Sequence, residues 1–193
     1  MKKVLLIAAL AVFGITNVNA QDVSFGAKAG LNIATIGGDG SEGVKSRTAF
    51  HIGGVAEISV SEKFSVQPEL VYSAQGASQD FEGVEIDINY GYLNLPVLAK
   101  YYVADGFSVE AGPQLGFLLS AKGEGAGQEV DIKDITSGID FALGLGAGYK
   151  LDNGLNFAAR YNLGLSNIND GEGSDDFSNQ NNVFQISIGY FFN

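Results

Sequence analysis

Few residues in this chain are equipped for chemistry, and their spacing narrows the choice. His51 is the only histidine and there is no cysteine. A transition-metal centre of imidazole and thiolate is therefore out of reach, as are disulfides. A serine–histidine–carboxylate set is one way to use His51, in a membrane-embedded lipase or acyltransferase. No serine sits in a nucleophile motif, so a solvated or hydrogen-bonded histidine is the simpler reading. Asp170, Glu172, Asp175 and Asp176 place four carboxylates in seven residues. Calcium favours such oxygen clusters, but the spacing is not that of an EF-hand, and a solvated acidic loop has the same composition. Gly144, Gly146 and Gly148 fall inside a strand pattern, not between a strand and a helix, so they do not read as a phosphate loop. The sequence thus offers no catalytic or cofactor-binding residues and only a weak calcium candidate. An enzyme is not expected.

The remaining polar residues gain meaning from the elements that carry them. From Asp140 to Ile168, Phe141, Leu143, Leu145, Ala147, Tyr149 and Leu151 take every second place, and Leu155, Phe157, Ala159, Tyr161, Leu163 and Leu165 repeat the pattern. Successive side chains of a strand face opposite ways, so each run has one apolar and one small or polar face. Asp152-Asn153-Gly154 between them is hairpin chemistry, because Asn and Gly tolerate positive φ. The second face carries Asp140, Lys150 and Arg160 among glycines, which is too little material for a hydrophobic core. A membrane β-barrel reverses the usual sidedness, apolar face to lipid and polar face to the lumen.

Eight such strands are expected: Val23–Thr35, Thr48–Val60, Phe64–Ala77, Ile86–Val103, Phe107–Lys122, Ile139–Leu151, Leu155–Ile168 and Asn182–Phe192. The connections alternate between tight turns (Ser61–Lys63, Ala104–Gly106, Asp152–Gly154) and longer loops rich in Gly, Asp, Glu, Ser and Asn. Short turns on the periplasmic side and longer loops outside are the habit of outer-membrane barrels. The fold class is all-β, an eight-stranded antiparallel transmembrane β-barrel of up-and-down meander topology, with strand one beside strand eight. A soluble ligand-binding barrel would need its apolar face inside.

The N-terminus fits this location. Met1-Lys2-Lys3, the apolar run Val4–Ile15 and the small residue Ala20 form a cleavable secretory signal peptide over residues 1–20. The run is too short to span a bilayer, which takes about 20 apolar residues. The barrel domain would be residues 21–193. Without Lys2 and Lys3 it holds nine basic and 22 acidic residues, a net charge of −13. That argues against nucleic acid as a partner.

Aromatic residues fall at two heights. Phe64, Tyr101, Phe107, Tyr149, Tyr190 and Phe192 lie near the tight turns or the C-terminus, and Phe50, Tyr72, Phe117, Phe141 and Phe184 share the apolar face further along. At ~3.3 Å per residue and ~40° tilt the offset is roughly 20–25 Å, near the ~25 Å apolar band, so they form two girdles in contact with outer-membrane lipid. The fourth strand breaks the pattern. Ile86, Ile88, Tyr90 and Tyr92 alternate in one phase and Leu93 to Val103 in the other, which a bulge near Gly91 would reconcile. Pro68, Pro96 and Pro113 each remove a ladder donor and mark expected bulges or weak edges.

Six charged residues have lumen-facing phase at similar heights: Lys28, Glu57, Glu69, Lys100, Glu110 and Arg160. An eight-stranded lumen is narrow enough for them to meet across it. Buried charges must pair, so three bases and three acids are expected to plug the barrel.

Several segments resemble the PorT-like outer-membrane β-barrel family of Bacteroidetes-type Gram-negative bacteria. Val66-Gln67-Pro68-Glu69-Leu70-Val71-Tyr72-Ser73 with Gln75-Gly76, and Tyr92-Leu93-Asn94-Leu95-Pro96-Val97-Leu98-Ala99-Lys100-Tyr101, are similar to its signature strands. Asn94 stands where the family usually has Glu. The resemblance implies the outer membrane, with loops outside and termini periplasmic. It implies no defined activity, although the named member is linked to protein secretion. Ile186, Ile188, Tyr190 and Phe192 resemble the C-terminal signal read by the barrel-assembly machinery, with Asn193 after the usual terminal aromatic. Phe192→Ala is therefore expected to lower outer-membrane yield more than deletion of Asn193; equal yields would make this end an ordinary strand. Three functions are then open: a non-enzymatic barrel serving envelope integrity, adhesion or secretion through its loops and their protein partners; a narrow passive pore; and a lipid-modifying enzyme.

Overall fold

The computed structural model describes residues 23–81, 83–171 and 177–192. The signal peptide expected at residues 1–20 lies outside them, as do Glu172, Asp175, Asp176 and Asn193. Among the described residues no helix is long and apolar enough to cross a membrane.

The described residues form a meander of nine strands: β1 (Val23–Gly38), β2 (Val44–Ser61), β3 (Phe64–Phe81), β4 (Val84–Ala104), β5 (Phe107–Gly125), β6 (Gln128–Asp131), β7 (Ile139–Lys150), β8 (Leu155–Gly164) and β9 (Asn179–Phe192). Each long strand pairs antiparallel with the next, β5 with β7 included, and β9 returns to β1 in a register running from Phe25 opposite Phe192 to Gly38 opposite Asn179. The pairings therefore close on themselves through eight strands. β6 lies outside that ring, bonded only to the tip of β5. A single 3-10 turn, Lys133–Ile135, leads from it back to β7.

Alternation sets the two faces. On β3, Ser65, Gln67, Glu69, Ser73 and Gln75 are buried, while Leu70 and Tyr72 are exposed. On β9, Gln185 and Ser187 are buried between exposed Ile186, Ile188, Tyr190 and Phe192. All eleven aromatics expected in the girdles face outward. Nine are exposed, and Phe64 and Phe117 are half-buried. Phe64 lies opposite Tyr101 and Phe107 opposite Tyr149 at the turn end. Towards the loop end Phe50 packs on Tyr72 at 5.8 Å.

The strands depart from expectation in length. β2 to β5 run past their expected loop-side ends, so that β3 ends at Phe81 and β4 already begins at Val84. Cross-strand pairs hold these extensions: Lys45 to Asp80 at 2.5 Å, Lys122 to Glu129 at 2.6 Å, and the Ser78 hydroxyl to Asp87. β8, by contrast, stops at Gly164, four residues before the expected end. Polar loop residues can pair as strands where a neighbour is already in register.

The bulge expected near Gly91 is not on the fourth strand. Gly91 pairs with Ser120 and Tyr92 with Leu118, so the extra residue is Leu119 of β5. β4 keeps one phase throughout. Its even residues Tyr90, Tyr92, Asn94, Leu98 and Lys100 are all buried, so its inward face turns from polar to apolar on approach to the loop end. The prolines also behave differently from expectation. The β3–β4 pairing lapses beside Pro68 and Pro96, and the β4–β5 pairing lapses opposite Pro113, but both resume in the same register. The missing donors cost local bonds without shifting the strands.

Candidate functional site

The lumen is filled in layers. Near the turn end, Glu57 of β2 receives Lys100 of β4 at 3.2 Å, Lys150 of β7 at 3.2 Å and the Tyr102 hydroxyl at 2.5 Å. Lys150 also lies over the ring of inward-facing Phe191, 4.8 Å from its centroid. Lys100 donates to Gln67 Oε1 at 2.9 Å, and Gln67 Nε2 donates to Glu69 Oε1 at 2.7 Å, which links this layer to the next. There Arg160 of β8 grips both oxygens of Glu69, at 3.0 and 2.7 Å, and turns its Nε to Glu110 at 2.7 Å. Lys28 of β1 completes the layer at 3.1 Å from Glu69.

All six residues expected from their phase thus lie in one buried, hydrogen-bonded set. Each bears the layer it does because neighbouring strands hold it at that height: Lys100 stands directly opposite Glu110, and Arg160 opposite Gly146. A Cβ on Gly146 would come within 3.1 Å of Glu110 Oε1, and one on Gly144 within 3.3 Å of Arg160 Cδ. The glycines of β7 leave the room that the guanidinium occupies. Sequence reasoning put Lys150 on the inner face but left it, Tyr102 and Gln67 out of the network. The signal was present, since all three alternate in phase with the chosen charges. With Lys150 the set holds four bases and three acids. A paired, multiply hydrogen-bonded arrangement is what a low-dielectric interior demands of its charges. The space left among Lys28, Gln67, Lys100, Glu110, Arg160 and Ser187 is about 10 Å³. A void must reach ~10–15 Å³ to admit a single water.

A neutral polar layer lies above. Asn32 Nδ2 donates to Ser73 Oγ at 2.9 Å and to the Ala74 carbonyl at 2.7 Å, which leaves its Oδ1 as acceptor. That oxygen takes the Gln185 amide at 2.9 Å and His51 Nδ1 at 2.8 Å. His51 Nδ1 must then carry the proton, and Nε2 accepts from the Ser187 hydroxyl at 2.8 Å. The order serine, histidine, amide is that of a general-base relay. Ser187, His51 and Asn32 are 6 %, 1 % and 0 % exposed, however, and the space that Ser187 helps to line is only about 10 Å³. No acyl group reaches the hydroxyl in this conformation.

The loop end is closed by apolar packing. Tyr90, Tyr92, Leu118, Ala121 and Ile168 form a buried cluster, supported by Ile36, Ile88 and Ile132. Ile168 comes from the segment after β8 and Ile132 from that after β6, so two connections fold inward over the polar layers. The phase of β4 and the Leu119 bulge supply the rest.

Of the calcium candidates only Asp170 is described. It is exposed, and its amide donates to the Ile135 carbonyl at 2.9 Å. Among the described residues no group of three or more His, Cys, Asp or Glu is placed to hold a metal ion.

A ring of antiparallel strands, apolar without and polar within, is an outer-membrane β-barrel protein. This chain belongs to the family described as outer membrane protein beta-barrel domain, whose profile matches residues 19–170. Solved structures share the fold. Ail, the attachment invasion locus protein of Yersinia pestis, is 14% identical with a TM-score of 0.54, covering 89% of this chain and 99% of that one. Neisserial surface protein A is 10% identical with a TM-score of 0.57, at the same 89% and 99% coverage. Ail in complex with the heparin analogue sucrose octasulfate is also similar, at 12% identity and a TM-score of 0.53, over 89% of this chain and 99% of that one. At such identities the likeness is one of fold alone. No curated protein matches the chain in sequence.

Proposed function

We propose that the protein is a non-conducting, non-enzymatic barrel that works through its long loops. In this reading the loops are extracellular, the termini periplasmic, and the role is envelope integrity, adhesion or assistance to secretion, as the PorT-like resemblance suggests. The observation that carries it is the double closure of the lumen, by the buried Arg160–Glu69–Lys28 network and by the Tyr92–Ile168 cluster. A solute would have to break bidentate ion pairs in a low-dielectric interior to pass. The extended β2–β6 hairpins supply a large described surface at the loop end, which supports this reading.

The acidic loops set this protein apart from a polyanion binder. Within residues 36–47, 78–89, 120–139 and 166–181 the described residues include ten acidic and four basic side chains. A field of that sign repels a sulfated ligand of the kind bound to Ail.

The buried Ser187–His51–Asn32 relay gives a second reading, a membrane-embedded acyl hydrolase. One experiment separates all three readings. Reconstituted wild-type protein is expected to show no discrete conductance steps in a planar bilayer and no release of fatty acid from the same lipid. Regular conductance steps would establish the pore. Fatty-acid release that disappears in His51→Ala would establish the hydrolase.

A further inference from the structure

The outward apolar side chains of the barrel are accounted for by lipid. An apolar cleft at the loop end is not. On the protruding part of β4, Ile86 and Ile88 share the inward phase of Tyr90 and Tyr92, so they face the mouth of the barrel and not the bilayer. With Ile36 of β1, Val44 of β2 and Ile168 they line a cleft of about 180 Å³ that opens at the loop end. It is the unfilled edge of the apolar cluster that seals the lumen. Lipid cannot cover it, because it lies inside the ring and above it. A cavity of ~150 Å³ holds a benzene ring, so one aromatic or branched side chain fits here.

The charges around the cleft specify what such a side chain must be attached to. Asp39 stands on the rim. On the other face of the same extension, register sets carboxylates directly opposite one another: Asp80 faces Glu85, Asp87 faces Glu124, and Glu124 faces Glu129. Like charges across a ladder destabilise it. Lys45 and Lys122 relieve Asp80 and Glu129, but Glu85, Asp87 and Glu124 enter no ion pair among the described residues. The extension thus carries an open apolar seat on its inner face, with Asp39 on the rim, and a surplus of negative charge on its outer face.

We propose that this cleft is the docking site for a cationic peptide, which inserts one large apolar side chain against Ile86 and Ile88 while its flanking lysines or arginines lie over the acidic rim. The proposal rests on the reading that the loops are the active part. It is independent of conductance and hydrolysis, so either could fail alone.

The chain has no tryptophan, so the emission of a peptide tryptophan reports on the peptide alone. The protein in nanodiscs of zwitterionic phosphatidylcholine is titrated with amidated Lys-Trp-Lys-Lys, and with Glu-Trp-Glu-Glu and Lys-Ala-Lys-Lys for comparison. A saturable blue shift is expected with the lysine peptide, absent on empty nanodiscs and with the glutamate peptide. Lys-Ala-Lys-Lys should compete at least tenfold less well. Ile86→Asp is the decisive variant, since Ile86 is 37 % exposed and lies on the protruding part of β4, outside the buried ion-pair network. It adds a negative charge yet removes the apolar seat, so it should weaken binding at least tenfold. Asp39→Asn should weaken it about threefold and flatten its dependence on salt. Unchanged or tighter binding to Ile86→Asp, an equal shift with the glutamate peptide, or no shift at all would overturn the proposal.

Discussion

Arg160→Ala is expected to cost the folded barrel roughly 3–5 kcal/mol, the penalty for removing one partner of a buried ion pair. Arg160 supplies three charge-assisted hydrogen bonds, two to Glu69 and one to Glu110. Glu69 would keep Lys28 and Gln67. Among the described residues Glu110 has no other ion pair, so its carboxyl group would lose its direct partner in a space that barely admits water. The loss should therefore come mostly from Glu110. Urea unfolding in lipid vesicles measures it, and the double variant Arg160→Ala/Glu110→Gln should recover a good part. Because the pair is screened from solvent, the loss should be nearly independent of salt. A single variant as stable as wild type would mean that the network is solvated and would reopen the pore reading.

Gly30→Val should be more damaging still and should leave no folded barrel. Gly30 lies opposite Ser187 on β9 and His51 on β2, in the ladder that closes the ring. A Cβ there would stand 2.0 Å from the Ile186 carbonyl oxygen and 2.8 Å from His51 Cε1. Backbone cannot yield as a flexible side chain does, so β1 and β9 must part. An open edge in hydrocarbon leaves amides and carbonyls unpaired at several kcal/mol each. Gly54→Val provides the contrast. Its Cβ meets nothing nearer than the Gly26 carbonyl at 3.9 Å, and Gly54 faces outward. Heat-modifiable mobility and protease resistance should be lost in the first variant and kept in the second. Folding of Gly30→Val at wild-type yield would contradict this account of closure.

Period-two alternation in the sequence was enough to place the eight strands of the ring and most of their inward and outward faces, though not their loop-side ends, β6 or the face of Tyr90 and Tyr92, because side-chain direction along a strand follows from backbone geometry alone. The same phase picked out Lys28, Glu57, Glu69, Lys100, Glu110 and Arg160 as inward charges. It could not say which of them touch. That depends on register, and a slip of one residue would turn every side chain to the other face. Tertiary structure decided that Arg160 binds Glu69 and Glu110 while Lys100 and Lys150 share Glu57. It also moved the bulge from Gly91 to Leu119, since either strand of a pair can carry the extra residue. The apolar lid was hidden for a related reason. Tyr90 and Tyr92 read as part of an apolar outward phase and Ile168 as the end of a strand, and only the closed ring brings them over one another. His51, unremarkable alone, gained its tautomer from Asn32 and its neighbour Ser187 from strands that meet only when β9 returns to β1.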